Sequence, residues 1–131
     1  MCEDGILSHY TVPGSITSER LMYHVATDLL PRMNRFPGEH SVLILDNCNK
    51  HKTVEFMNMM AQAGVLIKFL PPYSPWLNPI ESVFRSVKSW LQRFSLYDSG
   101  LGHNMYTLLM MAFYSVSVEC CCSFINESGY L

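Results

Sequence analysis

Two short apolar runs, Ser41 to Leu45 (SVLIL) and Val65 to Leu70 (VLIKFL), lie about one helix length apart in a chain of 131 residues. Neither alternates polar with apolar positions. A strand of that kind expects cover on both faces, as in the interior of an α/β sheet. Between the runs, Lys52 to Ala63 is rich in Met and ends at Gly64, a residue whose freedom at positive φ suits a helix C-cap. The order predicts an α/β layer in which the strands are at least partly parallel.

The flanking segments extend that order. Ile6 to Val12 (ILSHYTV) has strand-like composition and stops at Pro13-Gly14, a turn signal. From Thr17 to about Met33, Leu21, Met22, Val25, Leu29 and Leu30 recur at helical spacing. Ser15 or Thr17 is placed to cap that helix and Pro31 to end or kink it. Residues 34–40 read as a loop. After the second run comes LPPYSPWLNP, whose four prolines in nine residues exclude regular structure. Pro79 to Phe94 is the clearest helix: Ile80, Val83, Phe84, Val87, Trp90, Leu91 and Phe94 form one apolar stripe. A loop over Asp98 to His103 then leads to a last helix, roughly Asn104 to Cys122, whose low-polarity part, Met105 to Val118, is expected to be buried.

Composition removes several classes. With 49% hydrophobic and 15% charged residues the chain is neither disordered nor of low complexity. Nine Lys and Arg against 11 Asp and Glu give no global attraction to phosphate, so any DNA contact needs a local patch or metal ions. Met105 to Val118 falls short of a bilayer span, and the acidic start MCEDGILSHY is unlike a secretory signal. No membrane partner is expected. The five cysteines include three neighbours, Cys120, Cys121 and Cys122, and no Cys or His spacing suits zinc. They read as reduced thiols in an intracellular protein.

Reactive groups in open α/β sheets collect beyond the carboxyl ends of the strands. Asp46 follows SVLIL directly, Asn47 and His51 come within five residues, and Glu81 opens the helix after the next strand. Two carboxylates there could share divalent cations, because Mg²⁺ favours a few carboxylate oxygens with water and phosphate. Each residue also has a structural explanation. Asp46 and Asn47 could form a turn and cap the next helix, and His51 could be a surface residue at a helix start. Glu81 fits a capping box, with Asn78 as N-cap, Pro79 at the first helical position and the Glu81 carboxylate reaching back to the Asn78 amide.

Taken together, the segments SVLILDNCNKH (41–51) and FLPPYSPWLNPIESVFRSVKSWL (69–91) resemble the second and third catalytic blocks of mariner-like, or Tc-type, cut-and-paste DNA transposases. These are DDE superfamily endonucleases with a ribonuclease-H-like fold. Thirty-four residues separate Asp46 from Glu81, the interval of the branch whose triad ends in Glu. A weaker resemblance runs from DGILSHYTVPGS to the closing SGYL. The resemblance implies that Asp46 and Glu81 are catalytic and metal-holding carboxylates, and that Asn47, His51, Tyr73, Asn78 and Pro79 shape the site. It also implies Mg²⁺ or Mn²⁺ as cofactor, DNA as partner, nuclear location, and metal-dependent DNA cleavage and strand transfer. Arg85, Lys88 and Arg93 are candidate DNA contacts, although Glu81 and Arg85, four apart, could equally form a helix ion pair.

One part of the family pattern has no counterpart. The family's first Asp lies on a central strand well upstream, and the candidates here, Asp4 in a turn and Asp28 in a helical pattern, suit neither place nor role. The expectation is therefore residues 1–131 as the C-terminal portion of one DDE catalytic domain, an incomplete ribonuclease-H-like α/β fold without a helix-turn-helix domain. Such a fragment would be inactive alone. A noncatalytic module that pairs an open strand edge with itself, a full-length transposase or another protein is the alternative. A third possibility is a coding region delimited too far downstream.

Overall fold

A computed structural model describes residues 1–97 and 104–130; the loop expected over Asp98 to His103 lies outside them. The chain divides into two compact units. Val12–Ser74 holds the sheet, and Met1–Thr11 with Pro75–Leu131 is helical.

In the sheet unit, β1 (Val42–Leu45) and β2 (Leu66–Phe69) pair in parallel, with Val42 opposite Leu66 and Leu45 opposite Phe69. Helix α2 (Val54–Ala63) connects them. The Thr53 hydroxyl accepts the Phe56 amide at its start, and Gly64, at φ 75°, closes its end. That φ is costly for any residue with a Cβ, and a methyl there would lie 2.7 Å from Arg35 Nε. Helix α1 (Ser18–His24) starts under a Thr17 cap and widens into a π-turn over Val25–Leu29, then tightens into a 3₁₀ turn over Leu30–Arg32. Pro31 accounts for the change: without an N–H it cannot continue the i to i−4 ladder.

Buried Val25, Phe56, Met60 and Val65 form the core of this unit, with Leu43 and Leu45 packed against it. These two residues point to one face of β1. Val42 and Ile44 point to the other and stay 41% and 42% exposed. The expectation that SVLIL is covered on both faces is therefore corrected. Alternate side chains of a strand face opposite ways, and helices cover only one side here.

The helical unit is built on α3 (Ile80–Tyr97), α4 (Met105–Tyr114) and α5 (Val118–Glu127). Val83, Val87 and Ala112 make its core, with Ile6, Trp90 and Phe113 against them. The stripe read from the sequence is the buried face of α3, although Phe84, at its edge, remains exposed.

Three expectations fail in this unit or at its border. Ile6 to Val12 forms no strand. Only an isolated antiparallel bridge, Cys2 with Gly5, precedes it. No ladder partner lies alongside, and its side chains pack on helices instead: Ile6 joins the core, and the His9 ring stacks on Phe113 at 5.0 Å. The single last helix is two helices, bent by 74° at a short break. There the Ser115 hydroxyl donates to the Ala112 carbonyl, and the Ser117 hydroxyl accepts the Cys120 amide as a new N-cap, so local bonds replace the helical ladder. Finally, α4 is mostly exposed, with Ala112 its one buried residue. Among the described residues, no single helix is long and apolar enough to cross a membrane. All five cysteines are free thiols.

Candidate active site

Asp46 stands at the carboxyl end of β1, where the parallel ladder stops, and its side chain is 56% exposed. One oxygen is occupied. Oδ1 accepts the Cys48 amide at 3.2 Å and lies 2.8 Å from His51 Nδ1. The first contact is the Asx turn that the sequence allows, so the turn reading of Asp46 holds and also fixes the carboxylate's orientation. Among the described residues Oδ2 has no hydrogen-bond partner.

His51 is not a surface residue at a helix start. It closes a 3₁₀ turn over Asn49–His51, and its Nδ1 is buried with no neighbour aligned for a hydrogen bond, the Asp46 oxygen being the close polar atom. The ring edges toward Phe56, 6.3 Å between centroids, which ties this residue to the core of the sheet unit.

The turn between Asp46 and α2 is held from three sides. Asn47 Oδ1 accepts from Lys52 Nζ, whose ammonium also lies 5.4 Å from the centre of the Phe69 ring, at the end of β2. Lys50 Nζ donates to the Ile16 carbonyl at 2.7 Å. Lys52 is a residue the sequence did not single out, since a lysine at a helix start carries no periodic signal. Its position is visible only once β1 and β2 bring Asn47 and Phe69 together.

Glu81 belongs to the helical unit. The Pro-rich segment makes one 3₁₀ turn over Pro75–Leu77, a short regular piece that the prolines were expected to exclude. The turn presents Asn78, whose Oδ1 accepts the Ile80 amide at 3.4 Å, and the Glu81 amide donates to the Asn78 carbonyl at 3.1 Å. Asn78 is thus the cap, and Pro79 stands one residue before α3, where a missing N–H costs nothing. The capping box does not form. The Asn78 amide is already taken by the Pro75 carbonyl at 3.0 Å, so the Glu81 carboxylate has nothing to reach back to. Glu81 is exposed, with no side-chain partner among the described residues, and the alternative ion pair with Arg85 is not made.

Tyr73, on the sheet side of the division between units, is 95% exposed and has φ 55°, a left-handed conformation rare for a residue with a side chain. Within the helical unit a residue missed by sequence reasoning steadies the approach to α3. The Tyr130 hydroxyl donates to the Leu77 carbonyl at 2.8 Å, and burial raises this phenol above its ordinary value. Arg85, Lys88 and Arg93 are all exposed on α3.

Asp4 and Asp28 stay apart from this chemistry. Asp4 sits in the turn of the Cys2–Gly5 bridge, and Asp28 pairs with Arg32 at 2.7 Å and with His24 at 3.9 Å on its own helix.

The donor set suits a hard divalent cation. A carboxylate oxygen at a strand end, oriented through its other oxygen, and an unpaired glutamate at a capped helix start are oxygen ligands of the kind Mg²⁺ and Mn²⁺ take. The model of the DDE superfamily endonuclease family matches residues 1–100, which include Asp46, His51 and Glu81 but not α4 or α5. An uncharacterized protein of Sinorhizobium fredii, y4pE/y4sA, is 38% identical over 69 residues, covering 50% of this chain and 49% of that protein. The chain thus spans about half the length of the curated relative it matches, and no solved structure matches it. By the extent of the family match, this chain belongs to the DDE superfamily endonucleases.

Proposed function

We propose that Asp46 and Glu81 are two of the carboxylates of a metal-dependent phosphodiester-cleaving and strand-transferring site of the mariner-like, Tc-type kind, and that this chain alone does not complete it. The observation that carries the reading is Asp46: a strand-end carboxylate with one oxygen accepting the Cys48 amide, His51 Nδ1 2.8 Å away, and the other open among the described residues. Asp46 and Glu81 would hold Mg²⁺ or Mn²⁺, which would supply Lewis-acid activation for phosphodiester cleavage and strand transfer. The chain's own residues prepare for it. The Cys48 amide holds Asp46 in one orientation with the His51 ring beside it, Lys52 holds Asn47 next in the turn, and Asn78 fixes the start of the helix that carries Glu81.

Inactivity of the isolated chain follows from its ligand count. Asp28 is paired with Arg32 on its own helix, and Asp4 sits in the turn of the Cys2–Gly5 bridge rather than at a strand end, so neither matches the family's first carboxylate. A supercoiled-plasmid assay tests this. The purified chain is expected to give no Mg²⁺-dependent nicking, and nicking that disappears in Asp46→Ala would overturn the proposal.

A second reading rests on the edge of β1 away from β2, which pairs with no strand among the described residues. In that reading the chain is a noncatalytic module whose strand pairs with another transposase chain or a second copy. A monomer in size-exclusion chromatography at all concentrations, alone and with a full-length transposase, would exclude it.

A further inference from the structure

Between α3 and the α4–α5 turn runs a groove of about 430 Å³, open to solvent and contained within the helical unit. Helix α3 contributes Arg85, Ser86, Ser89, Trp90 and Arg93, and Ser115 stands on the opposite wall. Over residues 82–97 this helix has three cations and no carboxylate, in a chain whose net charge is −2. The groove is thus a local exception to the charge of the molecule.

Its cations are available. Arg85 has no partner among the described residues, and Arg93 uses only Nε, 3.4 Å from the Ser89 carbonyl, leaving the remaining guanidinium donors free. Eight residues of helix set the two arginines about 12 Å apart along the axis. That spacing suits separate, non-adjacent phosphates of one chain better than one small anion. Trp90 lies between them, its plane held by stacking on Phe94 at 4.8 Å and 7°. Lys88 does not line the groove; helical geometry puts it on the side of α3 nearer Glu81.

A cationic groove with an aromatic wall favours one form of nucleic acid. A duplex hides its base faces in its own stack, whereas an unpaired strand offers both phosphates and faces. We propose that this groove binds a single-stranded polynucleotide, with backbone phosphates on Arg85 and Arg93, a base against Trp90, and Ser86, Ser89 and Ser115 giving hydroxyl contacts. The proposal rests on the preceding reading for why the chain meets nucleic acid, but it uses neither Asp46, Glu81 nor a metal ion.

The test is anisotropy titration of a short fluorescein-labelled oligothymidylate with the full chain in EDTA and low salt. Saturable binding that weakens with added salt is expected, with each of Arg85→Glu and Arg93→Glu weakening it about tenfold. Arg20→Glu, a charge reversal of equal size in the sheet unit, should leave affinity within about twofold, as an untouched phosphate count requires. In a Trp76→Phe background, Trp90 is the remaining tryptophan, and the oligonucleotide should quench its fluorescence. An oligouridylate of equal length separates the sources: equal binding supports the shared chemistry, and a preference for either polymer supports it while naming the source.

Absence of saturable binding, a duplex bound as tightly as the single strand, or Arg85→Glu and Arg93→Glu behaving like Arg20→Glu would each overturn the proposal. Should circular dichroism show either reversal unfolded, Arg85→Gln and Arg93→Gln replace them, with a loss of about threefold expected and no loss overturning it. Because EDTA removes metal, failure here leaves the carboxylate reading standing. Failure of metal binding leaves the groove standing.

Discussion

The two candidate carboxylates are prepared in opposite ways. In the sheet unit, Asp46 is oriented through its side chain: the Cys48 amide donates to one oxygen, the His51 ring lies 2.8 Å from the same oxygen, and Phe56 of the core lies against that ring. In the helical unit, Glu81 is oriented through its backbone. Asn78 and the turn ahead of it set where α3 begins, and the side chain itself is free among the described residues. A strand end leaves its carboxylate on a loop that needs side-chain tethers, whereas a helix start has a rigid backbone and needs only a cap. The first arrangement is sensitive to neighbours of the acid, the second to the turn that precedes it.

The largest effects should come from the two cores and should separate the units. Phe56→Ala empties the middle of the sheet unit and should cost about 3–5 kcal/mol, while Val83→Ala in the helical unit should cost about 2 kcal/mol. Both tryptophans, Trp76 and Trp90, belong to the helical unit. In denaturant melts, Phe56→Ala is expected to shift the far-ultraviolet transition more than the tryptophan transition, and Val83→Ala both. Coincident shifts for Phe56→Ala would dissolve the distinction between the units.

Caps should have smaller effects of the same size but different consequence. Thr53→Ala and Asn78→Ala each remove one helix N-cap, worth about 1 kcal/mol. Only the second lies beside a proposed ligand, so Asn78→Ala should also weaken Mn²⁺ binding, measured by electron paramagnetic resonance, while Thr53→Ala should not. Equal effects on the metal would mean that Glu81 does not depend on its helix start.

Smaller still is Tyr130→Phe, which deletes the bond to the Leu77 carbonyl and should cost about 0.5–1.5 kcal/mol in thermal melts. The helical unit should also show a pH dependence of its own. Burial raises the Cys121 thiol above its ordinary value. Folding therefore favours the neutral thiol: the stabilisation is full below an unfolded thiol value of about 8.5 and is lost as pH rises toward the folded value. Cys121→Ala should flatten the alkaline decline, and an unchanged pH profile would assign it elsewhere.

The parallel pair, α2 with its Gly64 end, and the buried stripe of α3 were all legible in the sequence, because apolar spacing and cap residues are local signals; the Thr53 cap and the helix start at Val54, two residues after Lys52, were not. Ile6 to Val12 was misread because strand composition says nothing of whether a partner edge is present. The bend after Tyr114 was missed because an apolar run hides the break: Ser115 and Ser117 act through single hydrogen bonds. In the site, the sequence placed Asp46 directly after β1 and Asn78 as the cap before α3, but not His51 in its 3₁₀ turn. It could not show that the Pro75 carbonyl takes the Asn78 amide and so leaves Glu81 unengaged, nor that Lys52 and Tyr130 hold the turns on either side. Those contacts join residues distant along the chain, and no spacing encodes them.

The proposed metal-holding role of Asp46 and Glu81 predicts that the folded chain binds Mn²⁺, which calorimetric titration measures. Asp46→Ala and Glu81→Ala should each weaken the binding by about tenfold or more, as loss of a carboxylate ligand requires. Wild-type affinity in either variant would contradict it.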